Sequence, residues 1–310
     1  MKSMKPVLST ALALLFAVFL LGCSSKHTVT DPMTKPIVTG TAEPTDPIQL
    51  VKPVLLAVSF GTSYNDSRDI TIGAIETALQ TAYPYYEVRR AFTSQIIIDK
   101  LAERDGLKID NVKAAMDRLI VEGVKEVVIQ PTHIMNGFEY DDVVKEVTPY
   151  ADKFDSFKIG KPLLTTDDDY SKVISIIVEE TKSYNGEGTA IVFMGHGTEH
   201  AANTIYAKLQ KMITEAGFKN YFIGTVEATP SIDDVIKLVK AGKATKVILT
   251  PFMIVAGDHA NNDMAGDAPD SWKTKFEAAG LKVECLIKGL GEYIGIQQVI
   301  VAHAASAMAK

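Results

Sequence analysis

Cysteine is scarce: the 310-residue chain has two, Cys23 and Cys285. If Cys23 is consumed by processing, Cys285 stands alone, which excludes an internal disulfide framework and any cysteine-based metal cluster. Runs of Lys and Arg are also missing, and the formal net charge is −6. A mildly acidic chain without basic blocks is a poor partner for nucleic acid. There is no Gly-x-Gly-x-x-Gly turn, no Walker loop and no Gly-x-Ser-x-Gly elbow, so no dinucleotide, nucleotide or serine-hydrolase site is signalled. The turn Gly195-His-Gly-Thr-Glu199 has a phosphate-cradling look but lacks the lysine of such a loop. Hydrophobic residues make up 46% and charged residues 23%, an ordinary globular balance that argues against a disordered or fibrous chain.

Long apolar runs are confined to the N-terminus. Lys2 and Lys5 precede a nearly unbroken apolar stretch from Val7 to Leu21, which ends in Leu20-Leu-Gly-Cys23. This pattern resembles a bacterial lipoprotein leader, in which the cysteine becomes the acylated first residue of the mature chain; a plain secretory leader or an uncleaved anchor is the alternative. Ser24 after the cysteine resembles the outer-membrane sorting class, and acyl chains would hold the protein to that membrane from the periplasmic side. Residues 1–22 are therefore expected to be a signal peptide. Residues 23–52, rich in Thr, Pro, Asp and Ser without periodicity, are expected to form a flexible tether.

From Pro53 onward, short apolar runs alternate with amphipathic stretches. Val54–Phe60 and Thr189–Met194 are apolar runs of strand length, each followed by a glycine-containing turn. Further strands are expected at Tyr86–Ala91, Glu126–Gln130, Phe222–Val226, Lys246–Thr250 and Lys282–Ile287. Helices are expected at Ile70–Tyr83, Ile109–Glu122, Tyr170–Tyr184, Asn203–Ala216, Ile232–Ala241 and Ser271–Ala279. This alternation predicts an α/β fold with parallel sheets flanked by helices.

The body is also duplicated, with halves at 53–185 and 186–310 and room for the C-terminus to cross back to the first. Phe60-Gly-Thr aligns with His196-Gly-Thr at an offset that also brings Ala91 onto Glu227. A second offset aligns the segment ending at Glu139 with the segment ending at His259. Metal-binding side chains thus replace apolar ones mainly in the second half, and all follow an expected strand, where ligands of open α/β folds bind. His196 sits between Gly195 and Gly197, glycines that permit close backbone approach to a ligand. Glu227 ends a strand where an unpaired carboxylate would be costly to bury, and Glu139 could simply favour a helix N-terminus. His133 and His200 are further candidates, as orienting groups or helix-start residues. His27 and His303 are assigned no chemistry. Two imidazoles with one or two carboxylates suit a borderline divalent ion such as cobalt, iron, nickel or zinc.

Five dispersed stretches carry a resemblance: Val58–Arg68, Gln130–Tyr140, Met194–His200, Thr225–Pro230 and Pro251–Gly266. They resemble the sirohydrochlorin cobaltochelatases of the CbiK type, and the leader resembles that of an exported variant. The resemblance implies a class II chelatase fold, with two flavodoxin-like halves around a cleft and no need for ATP or another nucleotide. It implies a metal site on His196, Glu227 and His259, with Glu139 carrying protons. The metal would be Co2+, with Fe2+ as the alternative, and the partner a sirohydrochlorin-type tetrapyrrole. Arg68, Arg89 and Arg90, near expected strand ends, and His200 are candidates for binding its carboxylates. Self-association is left open. A leader is unexpected in a family whose substrate is made in the cytoplasm, so a membrane-tethered carrier for haem or metal is the competing reading.

Overall fold

The computed structural model describes residues 51–309. Residues 1–22 and most of 23–52, including Cys23, lie outside them. Among the described residues no helix is long and apolar enough to cross a membrane.

The first half contains β1 (Val54–Ser59), α1 (Asn65–Ile70), α2 (Ile72–Ala82), β2 (Glu87–Phe92), α3 (Gln95–Asp105), α4 (Val112–Val121), β3 (Glu126–Pro131), α5 (Phe138–Val147) and β4 (Ser156–Ile159). After α6 (Asp167–Thr181), the second half contains β5 (Thr189–Gly195), α7 (Thr204–Glu215), β6 (Tyr221–Thr225), α8 (Ile232–Ala241), β7 (Lys246–Pro251), α9 (Trp272–Ala278) and β8 (Lys282–Cys285), and α10 (Ile294–Met308) ends the chain. The sheets are four-stranded and parallel throughout, ordered β2-β1-β3-β4 and β6-β5-β7-β8. In each half the strand order reverses beside the first strand, which opens a crevice at the carboxyl ends there.

Side-chain alternation explains why the central strands read as continuous apolar runs. In β1, Val54, Leu56 and Val58 face a cluster shared with α4 and α5, while Leu55 and Ala57 face the opposite side. In β5, Ile191 and Phe193 face the same cluster as Leu55 and Ala57, and Ala190, Val192 and Met194 enter a separate one. One core thus touches both sheets, filled by Tyr170, Val173 and Ile177 of α6 and by Ile296 and Ile300 of α10. Helix α10 crosses back to pack on α2, β3 and α6. His303 anchors it, with Nδ1 3.1 Å from the Lys161 carbonyl and Nε2 2.9 Å from Asp169 Oδ1. Asp169 in turn closes the capping box with Thr166 that starts α6.

The duplication holds, with one correction to its register. The Thr132 N–H donates to the Val58 carbonyl as the Phe252 N–H does to that of Met194, so β3 and β7 correspond as read from sequence. Between the first two strands of each half the alignment is different. Ser94 donates to the Phe60 carbonyl and Glu227 donates to the His196 carbonyl, so Ser94, not Ala91, is the counterpart of Glu227. The stretch joining the first two strands is shorter in the second half, so a single sequence offset cannot hold across it. Helix α3 has no equivalent after β6, which accounts for most of the residues the second half lacks. Strand β4, short and half-buried, was not among the expected strands.

His133, just past β3, is buried, and among the described residues neither ring nitrogen has a hydrogen-bond partner. Burial pushes its pKa down from 6.5 to about 4. The folded protein therefore keeps this ring neutral through a range in which the unfolded chain takes up a proton. Stability falls as pH drops from the unfolded value toward the folded one, by roughly 3 kcal/mol in all. We expect urea unfolding to show a wild-type loss between about pH 7 and pH 4 that exceeds the loss in His133→Leu by roughly this amount. Identical pH dependence in the two proteins would contradict the assignment.

Candidate active site

The carboxyl ends of β5, β6 and β7 each deliver one polar side chain to the same place. His196 follows β5, Glu227 lies two residues beyond β6, and His259 opens a short π-helical turn, Ala260–Met264, after β7. Ligand atoms of the three side chains all lie within 4.8 Å of one another. The imidazole rings meet edge to face, with centroids 4.7 Å apart. All three side chains are partly open to solvent, so an ion can reach them.

The glycines around His196 act differently from the sequence expectation. They accommodate the protein's own packing. A Cβ at Gly195 would sit 2.3 Å from the Tyr206 ring, and one at Gly197 would sit 2.8 Å from the Ala228 nitrogen. Gly197 also has φ of +85°, a conformation that disfavours other residues. Its N–H donates to the Tyr206 hydroxyl at 3.3 Å, and burial pushes that phenol up to about 12. The tight turn swings the His196 ring so that Nδ1 lies 2.9 Å from the Gly197 carbonyl. A carbonyl only accepts, so Nδ1 carries the proton and the Nε2 lone pair is free. Glu227 Oε2 lies 3.7 Å from His196 Nδ1, beyond hydrogen-bond range.

His259 is oriented in the same way by another partner. Its Nδ1 lies 2.5 Å from Asp263 Oδ2, one turn further along the π-helical segment. The carboxylate accepts the Nδ1 proton and again leaves Nε2 free, the arrangement that fixes and strengthens imidazole ligands of metals. Asp263 was not singled out from sequence. The i, i+4 spacing from His259 was the available signal, but a π-helical turn is not legible in such a short polar stretch.

Glu139 reaches the site from the first half, in the first turn of α5. Desolvation by the surrounding protein raises its pKa above the ordinary carboxylate value; His196 opposes the rise, and Asp142 and Glu227 add to it. His200 stands beside it. Its Nδ1 accepts from the Ala202 N–H at 3.0 Å, its Nε2 lies 3.4 Å from Asp141 Oδ2, and its ring meets Phe138 edge to face at 4.8 Å.

The structure does not bring the three arginines to this group. Arg68 is buried and donates to Asn65 Oδ1 at 2.8 Å. Arg89 pairs with Glu87 and Glu122, and Arg90 with Glu76. Arg89 and Arg90 are also in register with Leu56 and Ala57, mid-strand in β1 and short of its carboxyl end. In this structure Arg89 and Arg90 are therefore held by carboxylates of their own half, away from the metal group.

Two free imidazole nitrogens and a carboxylate fit a borderline divalent ion. Ligands around a four-coordinate ion of this kind lie roughly 3.3 Å apart, so small side-chain rotations would close the group on a metal. Three protein donors leave at least one coordination position open, the arrangement of sites that exchange ligands.

The sequence pattern of the cobalt chelatase (CbiK) family matches residues 53–309. A sirohydrochlorin cobaltochelatase of Salmonella typhimurium is 42% identical over 253 residues, covering 82% of this chain and 95% of the relative. The sirohydrochlorin cobaltochelatase CbiKC of Nitratidesulfovibrio vulgaris is 30% identical over 268 residues, covering 86% and 94%. The solved structure of SirB from Bacillus subtilis with Fe3+ superposes with a TM-score of 0.58 at 11% identity, covering 83% of this chain and 96% of that one. At that identity the likeness speaks for the fold.

Replacing Asp263 tests the orientation of His259. Asp263→Ala is expected to weaken cobalt binding roughly 10- to 100-fold, read from the visible absorption of bound Co2+ in a titration. An unchanged affinity would show that His259 needs no such partner.

Proposed function

The chain belongs to the CbiK cobalt chelatase family, and from that premise we propose that it inserts Co2+ into sirohydrochlorin with His196, Glu227 and His259 presenting the ion. The single observation that carries the residue assignment is the convergence of two imidazoles and a carboxylate, with ligand atoms within 4.8 Å of one another, at the carboxyl ends of adjacent strands.

Insertion requires the loss of two pyrrole protons, a distortion of the macrocycle, and transfer of the ion from oxygen and imidazole to ring nitrogen. His259, held by Asp263, serves as the principal ligand. His196 faces the ring and exchanges between ligand and proton acceptor through its Nε2 lone pair. Glu139, a stronger base than an ordinary carboxylate because of its desolvated position, takes up released protons. The adjacent His200–Asp141 pair offers them a way out. No step in this scheme consumes a nucleotide. The same donors would accept Fe2+, so the choice of metal rests on supply and on the fit of the ring.

For the N-terminus we propose a lipoprotein leader with Cys23 acylated, placing the catalytic body in the periplasm on a membrane tether, with the outer membrane favoured by Ser24. The family match supports this division, since it starts at residue 53 and leaves the apolar run and the Thr/Pro-rich segment outside the catalytic body. Cys23→Ser should abolish lipid attachment, while the purified protein keeps full chelatase activity. Loss of activity in that variant would mean that the N-terminal segment belongs to the working enzyme.

Multiple-turnover insertion, followed by the loss of free sirohydrochlorin absorbance under anaerobic conditions, tests the reaction itself. The protein should exceed the spontaneous rate and turn over repeatedly, and His259→Ala should reduce the rate on the order of 100-fold, equivalent to about 2.7 kcal/mol. Uptake of one macrocycle or one metal per protein without turnover would instead support the carrier reading.

A further inference from the structure

The pseudo-symmetry of the two halves assigns a role to residues that the metal chemistry leaves unused. Each loop that carries a member of the metal group has a counterpart in the first half, fixed by matching backbone hydrogen bonds. The counterpart of His196 is Phe60, because Phe60 accepts from Ser94 as His196 accepts from Glu227. The counterpart of Glu227 is Ser94, with Ile96 two residues on in the first turn of α3. The counterpart of His259 is Glu139, with Phe138 beside it.

Phe60, Ile96 and Phe138 are all exposed, at 48%, 82% and 57%. Single exposed apolar residues are common and need no explanation. These three differ because they follow three neighbouring strands of one sheet, β1, β2 and β3, at the mouth occupied in the other half by the metal ligands. The loops that carry Phe60 and Phe138 also touch the second-half loops that carry His259 and His196. Beyond Phe60, the Tyr64 hydroxyl donates to Asp258 Oδ1 at 3.3 Å, next to His259. Phe138 itself rests on His200. Gly61, at φ of +100°, holds Phe60 at the strand exit, since a Cβ there would lie 2.6 Å from the Phe92 ring.

We propose that Phe60, Ile96 and Phe138 form an apolar plate that receives one face of the tetrapyrrole, so that the second half delivers metal to the other face. The proposal rests on the chelatase reading and deepens it. A tetrapyrrole is flat and apolar over its faces and charged only at its edge, so a plate of exposed aromatic and branched side chains complements the face. The arrangement separates the tasks of the two halves: one holds the ring by its face, and the other holds the ion. These are positioning residues, because they touch substrate without exchanging protons or metal.

Phe60→Ala, Phe138→Ala and Phe60→Tyr test this, with binding of metal-free sirohydrochlorin followed by its absorbance shift and binding of Co2+ measured separately. Each alanine variant should bind the macrocycle about tenfold more weakly. Its KM for the macrocycle should rise by a similar factor, while its Co2+ affinity stays at the wild-type value. Phe60→Tyr, which keeps the ring, should restore macrocycle affinity. Because the side chains are exposed, thermal unfolding should not shift. Wild-type macrocycle affinity in both alanine variants would overturn the plate while leaving the chelatase reading in place, and so would a parallel loss of Co2+ affinity. A wild-type protein that binds Co2+ but no macrocycle would overturn the chelatase reading and the plate with it.

Discussion

The free lone pairs of two imidazoles depend on what the other side of each ring is doing. The His196 Nδ1–H donates a hydrogen bond to the Gly197 carbonyl, and the His259 Nδ1–H donates one to Asp263. Without those acceptors each ring could rotate or change tautomer, and the cleft would hold two surface histidines instead of a ligand pair. The acceptors in turn depend on the fold. Gly197 reaches its position only because a glycine can adopt its backbone angle and pass close to Ala228. Asp263 comes beneath His259 because the chain leaves β7 in a π-helical turn. Metal exchange requires a site that is held in shape and yet not closed, and hydrogen bonds behind the rings supply shape without occupying coordination positions.

A second dependence joins the halves. The apolar core that contacts both sheets is completed by α6 and α10, and α10 belongs to the first half in space although it ends the second in sequence. With His303 tied to Asp169 and Lys161, the helix that ends the second half is fixed onto the first. Duplication followed by divergence then allows the two halves to take different tasks at equivalent positions. At equivalent positions the first half carries Phe60, Ser94 and Glu139 where the second carries His196, Glu227 and His259.

The parallel α/β architecture was legible because the central strands are buried on both faces and therefore read as apolar runs. The duplication was legible from the repeated Gly-Thr after β1 and β5. Its register beyond the first strand was not, because loops of unequal length cannot be aligned by offset, and Ala91 was set against Glu227 where Ser94 belongs. The positions of His196, Glu227 and His259 after strands could be read directly, since each breaks an apolar segment. Asp263 could not be read, because its relation to His259 depends on helical geometry that a polar loop does not announce. The partners of Arg89 and Arg90 were not legible for a related reason: charge along β2 was visible, but not that Glu76, Glu87 and Glu122 would fold back onto it.

The most direct measurement is the position of cobalt in crystals of the protein soaked with Co2+, located by anomalous scattering at the cobalt absorption edge. Cobalt should lie between His196 Nε2, His259 Nε2 and the Glu227 carboxylate, with at least one further position held by solvent. A cobalt peak at another group of residues, or on the Nδ1 side of either ring, would contradict the assignment of the metal site.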